Sequence, residues 1–87
     1  MSAAQILAIN HRDLIQSAST SYRGHFQRLP HDLQDEIIAG LDASSLTLHA
    51  ASGLVRLRGA RLSHTAIAKY YRAVRHERRI LLSGGLN

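Results

Sequence analysis

Apolar residues recur along this chain every three or four positions, in four segments separated by serine, glycine and proline. That spacing is the mark of helices that bury one face. The first segment predicts a helix over residues 3–18, with Ser2 as its N-cap. Ile6, Leu7, Ile9, Leu14 and Ile15 nearly encircle it, broken by the polar run Asn10 to Asp13. A helix apolar on most sides sits deep in its domain or packs on another chain. Ser17 to Gly24 is rich in serine and ends in glycine, which reads as a loop or hinge, with Tyr22 and Phe26 as its anchors to the core.

The second helix starts at Pro30, whose missing N–H costs nothing in a first turn. Asp32, Asp35 and Glu36 lie near the positive end of its dipole. Leu29, Leu33, Ile37, Ile38 and Leu41 form its apolar face, and Gly40 with Asp42-Ala-Ser-Ser45 marks its end near residue 42. The third helix takes Ser44 or Ser45 as cap, and Leu46, Ala50, Ala51, Leu54 and Leu57 recur along it. Residues 50–53 are all small, so another helix can approach there. Arg58-Gly59 ends it, with Gly59 expected in the left-handed conformation.

After the turn Ala60-Arg61-Leu62, Ser63 caps a fourth helix that runs to about Leu82 and stops at Gly84-Gly85. Ala66, Ile67, Tyr70, Tyr71 and Val74 face inward, Tyr70 mainly core and Tyr71 mixed. Thr65, Lys69, Arg72, His76 and Arg79 form one basic stripe on the other side. Ile80, Leu81 and Leu82 close the helix with an apolar end. The pattern predicts an all-α protein, a four-helix single domain over residues 1–87. Residues 3–18 are its N-terminal helix, and residues 28–82 contain a helix-turn-helix.

Composition narrows the class. A chain of 87 residues suffices for one small domain. With three Tyr, one Phe and no Trp, the core must come from Leu, Ile, Val and Ala, which favours packed helices over a sandwich. The absence of cysteine excludes disulfides and thiolate metal sites, and suits a reducing cytoplasm. No apolar run approaches the roughly 18 residues of a membrane span. Met1-Ser-Ala-Ala-Gln5 lacks the positive charge of a secretory signal.

Charge is divided unevenly. Residues 1–55 hold three basic side chains against five acids, whereas residues 56–87 hold eight against one. Ten of the eleven basic residues are arginine, whose planar fork matches phosphates and guanine edges. Concentrated basic charge is the footprint of a polyanion. A helix in the major groove reads bases with its N-terminal side chains, here His64, Thr65, Ala68, Lys69 and Arg72. Ser63 and the first N–H groups suit a phosphate. Arg56, Arg58 and Arg61 flank the groove before the helix, and Arg75, Arg78 and Arg79 do so farther along, beside His76.

Residues from about Arg28 to Val74 resemble the N-terminal domain of the small terminase family of Mu-like bacteriophages. The likeness rests on Arg28-Leu29-Pro30 leading into Leu33 and Ile37, then Leu46 to Leu57, then Gly59-Ala-Arg-Leu-Ser63 followed by Ala66-Ile67-Ala-Lys-Tyr70. It covers about half the chain. The family's long C-terminal region has no counterpart in the residues that follow, and an extra helix precedes the match. The resemblance implies a helix-turn-helix DNA binder of phage or mobile-element type, at work in the cytoplasm of a bacterial or phage-infected cell. The first helix of the pair is longer than in compact repressors, so their docking angle does not transfer.

The other chemistries have thinner support. His11, His25, His31, His49, His64 and His76 include no pair at i, i+4 on one helix and no His-Glu-x-x-His, so no metal site is expected. Asp32, Asp35 and Glu36 are explained by the helix dipole, and no nucleophile elbow or glycine-rich phosphate loop is present, so neither an enzyme, a cofactor nor a small-molecule substrate is expected. The expected partners are double-stranded DNA and a second copy, joined through the first helix or through Ile80–Leu82. The rival reading is a protein-interaction module that binds a host or phage protein through its apolar and basic helices.

Overall fold

The computed structural model describes residues 2–16 and 24–84. Most of the expected hinge, Tyr22 included, and the expected stop at Gly85 lie outside them. All regular structure among the described residues is helical: α1 Ala3–Ala8, α2 His11–Gln16, a 3₁₀ turn His25–Arg28, α3 His31–Asp42, α4 Leu48–Leu57 and α5 His64–Gly84. Contacts divide the chain into two units, one of Met1–Tyr22 with Arg72–Asn87, the other Arg23–Tyr71.

In the first unit, two short helices replace the single one expected over 3–18. Ser2 caps α1 as expected, its Oγ accepting from Gln5 N–H while Gln5 Oε1 accepts from Ser2 N–H at 2.8 Å. The helix stops because Ile9 turns extended, at ψ 130°. Asn10 then starts a new helix, its Oδ1 accepting from Arg12 N–H at 2.9 Å. A side chain that can hold a backbone N–H two residues on competes with helix continuation, and here it prevails. Ile6, Leu14, Ile15, Ala73 and Val74 are buried in this unit, together with His11 and Arg78. Leu7 is left exposed, so α1 is not buried on all its apolar sides.

The second unit is built on Phe26, Leu29, Leu33, Ile37, Ile38, Ala51, Val55, Leu62, Ile67 and Tyr70, all buried. Phe26 anchors the chain as expected, its ring stacked on Tyr70 with centroids 4.1 Å apart. Tyr71 is mixed in character as expected: it is half-buried, and its hydroxyl donates to Asp42 Oδ1 at 2.8 Å. Pro30 occupies the cap position of α3, one residue before the first turn. Gln34, which the apolar pattern passes over, is buried in this core. Its Nε2 donates to Leu29 O at 2.8 Å and to Gln27 O at 3.2 Å, tying the 3₁₀ turn to α3.

Gly40 lies inside α3 and does not end it. Its role is close approach: a Cβ there would stand 2.8 Å from Leu46 Cβ. The helix is closed by Ser44, at φ 57°, and by Ser45, whose N–H and hydroxyl both donate to Gly40 O. Both serines are spent on that exit, so neither caps α4. Thr47 does, its Oγ1 accepting from Ala50 N–H at 3.1 Å. The buried face of α4 is formed by Ala51 and Val55, while Ala50 and Leu57 point to solvent.

Candidate functional site

The residues expected to read a polyanion sit on α4, α5 and the segment between them. Gly59 takes φ 84°, as expected for the residue that ends α4. The chain then doubles back. Ala60 N–H donates to Val55 O at 3.1 Å, and Ser52 Oγ donates to Leu62 O at 2.6 Å. Residues 60–63 thus run beside α4 toward its start. The expected cap Ser63 opens α5 there, its Oγ accepting from Ala66 N–H at 3.2 Å. The imidazoles of His49 and His64, one near the start of each helix, lie 4.2 Å apart between centroids.

The fold-back gives the second unit an open cleft of about 520 Å³ lined by Ser52, Arg56, Arg61, Leu62 and Ser63. Arg58 does not line it. Its Nη2 donates to Asp32 Oδ2 at 2.8 Å, which ties the end of α4 to the first turn of α3. That hydrogen bond, with the guanidinium charge behind it, holds the Asp32 carboxyl below its ordinary 3.8 and raises Arg58 above its usual value. Sequence grouping placed Arg56, Arg58 and Arg61 together as groove-flanking residues. The structure brings Arg56 and Arg61 to one cleft and holds Arg58 apart from them, against Asp32.

Along α5 the predicted stripe is exposed: Thr65, Lys69, Arg72, His76 and Arg79 all face solvent, as do Ser63, His64 and Arg75. Ala68 is half-buried beside them. The opposite face buries Ile67, Tyr70, Ala73 and Val74. In the first unit, Arg72, Arg75, His76 and Arg79 border a smaller recess of about 280 Å³. Arg78, expected beside Arg75 and Arg79, is 8% exposed and belongs to the interior. An arginine stem buries readily along apolar surface, so charge alone does not assign it to the outside.

Among the described residues no group of three or more His, Asp or Glu side chains is placed to hold a metal. None of their helices is long and apolar enough to cross a membrane. No family model matches the chain, and no curated protein or solved structure matches it either.

Proposed function

We propose that this protein binds double-stranded DNA, with α4 and α5 acting as a helix-turn-helix and the start of α5 entering the major groove. One observation carries the reading: α5 divides along its length into an apolar buried face and an exposed face of Thr65, Lys69, Arg72, His76 and Arg79 without an acid. A face that served only solubility gains from both signs of charge interspersed. In the groove, Lys69 and Arg72 meet guanine edges, while Thr65 and the half-buried Ala68 suit thymine methyls. His64 and Ser63 lie at the helix entry. Arg75, His76 and Arg79 reach phosphates farther along the same helix.

The role is that of a small transcriptional regulator or a DNA-recognition subunit of phage or mobile-element type, in keeping with the resemblance to Mu-like small terminases. It needs no cofactor and no catalytic residue. A homodimer fits it, because Leu7, Ile80 and Leu82 are exposed in one unit and two copies would read two half-sites. The decisive experiment is a selection of bound sequences from random duplex DNA, followed by affinity measured against salt. An enriched site, with affinity falling steeply as salt rises and lost in Lys69→Ala/Arg72→Ala, supports the proposal. No duplex binding at low salt sinks it. The protein-interaction reading would then take its place, favoured by Leu57, which stands 83% exposed at the end of α4.

A further inference from the structure

The basic residues ahead of α5 separate into two kinds. Arg58 is committed to Asp32. Arg56 and Arg61 are exposed, and neither side chain forms a hydrogen bond or ion pair within the described residues. Arg58, the residue after α4, is held toward α3 by its pair with Asp32 and does not line the cleft that Arg56 borders. Arg56 instead stands one turn beyond Ser52 on the same face. The fold-back at Gly59 then brings Arg61 to the same cleft.

We propose that this cleft seats a single phosphate group, gripped by both arginines. Three side chains on its wall, those of Arg56, Arg61 and Ser63, can donate into it. Arg56 and Arg61 carry only N–H donors. The acceptor nearest at hand, Leu62 O, is already occupied by the Ser52 hydroxyl at 2.6 Å. Ser63 Oγ takes the Ala66 N–H as acceptor, which leaves its own O–H proton to donate outward. No carboxylate lines the cleft, and Leu62 closes its floor as a buried side chain. The positive end of α5 adds to this field. A phosphate offers acceptors on several sides, which two guanidinium forks and one hydroxyl meet together. The proposed DNA function supplies the natural source, a backbone phosphodiester that would fix the register of α5. The seat rests on that reading for its source and not for its chemistry.

Two titrations of the full chain test it. The first adds inorganic phosphate to the isotope-labelled protein and follows amide resonances. The shifts should centre on Arg61, Leu62 and Ser63 and disappear in Arg56→Gln/Arg61→Gln. The second measures duplex DNA affinity against salt. One lost phosphate contact lowers the salt slope by about one. Because both arginines hold the same phosphate, the double variant should lower it by about one, no more than either single variant, while Arg58→Gln leaves it unchanged. Shifts spread evenly over all exposed arginines would overturn the seat. So would a double variant that lowers the slope by about two, since the arginines would then serve separate phosphates. Localised phosphate shifts without duplex binding would keep the seat, assign it to a free phosphate, and defeat the DNA reading alone.

Discussion

Arg58 Nη2 meets Asp32 Oδ2 at 2.8 Å across 26 residues of sequence, joining the end of α4 to the first turn of α3. Both groups face water, so the pair contributes modestly to stability. Its larger consequence is to decide which arginines remain available to a ligand.

The same pair gives the fold a pH dependence of known sign. Asp32 is depressed below its ordinary 3.8 in the folded chain. Its contribution is therefore present at neutral pH and is lost as pH falls through the folded value, below 3.8. Asp32→Asn should be less stable than the parent at pH 7, and the gap should close in acid. Urea denaturation of both proteins across that range checks it. A gap that stays constant into acid would mean the ion pair is not its cause.

Gln34 is a second testable position. Gln34→Leu keeps the bulk but strips the donors from Leu29 O and Gln27 O, which its Nε2 meets in the fold. Leaving the buried Leu29 carbonyl unmet costs about 1–3 kcal/mol. An unchanged denaturation midpoint would show that those carbonyls find other donors.

Gly40 and Gly53 are both helical, and they should respond to alanine in opposite directions. Alanine favours a helix over glycine by about 1 kcal/mol. Nothing lies within 4 Å of a Cβ added at Gly53, so Gly53→Ala should raise the melting temperature. At Gly40 the added Cβ meets Leu46 Cβ at 2.8 Å, a rigid point of that side chain, so Gly40→Ala should lower it. On a Leu46→Gly background the Gly40→Ala penalty should vanish. Equal effects at the two glycines would contradict the close approach.

The caps of α4 can be told apart by three substitutions. Thr47→Ala removes the acceptor for Ala50 N–H and should cost about 0.5–2 kcal/mol. Ser44→Gly relieves a left-handed backbone at φ 57° and should be neutral or stabilising. Ser45→Ala loses only an exposed hydroxyl contact to Gly40 O and should matter little. Chemical denaturation orders the three, and a larger loss at Ser45 than at Thr47 would return the cap to the serines.

What the sequence disclosed was local chemistry. The Ser2 and Ser63 caps, the left-handed Gly59, the start of α3 beside Pro30 and the exposed stripe of α5 each depend on residues within a turn or two. The rest depended on partners that spacing does not reveal. Asn10 divided the first helix because its side chain outcompeted the helical backbone. Ser44 and Ser45 were drawn into the exit of α3, which left the cap of α4 to Thr47. Gln34 answers to main-chain carbonyls, which no residue pattern advertises. Arg58 and Arg78 look like Arg56 and Arg79 in sequence, yet one is paired and the other buried. Of the candidate site, the helix face was legible, whereas the cleft required the fold-back.

That fold-back bears on how the chain acquires its structure. The contacts that shape the cleft, Ala60 to Val55 and Ser52 to Leu62, close loops of at most ten residues. The Phe26–Tyr70 stack and the Asp32–Arg58 pair must wait for far larger loops to close. Short loops close sooner and at less entropic cost. We expect the Ala60 amide to gain protection in pulse-labelled refolding before the Phe26–Tyr70 core is complete. Later protection would make the cleft a product of the finished core. In the expected order, the arginine-lined turn forms early, and the remainder of its unit folds around it.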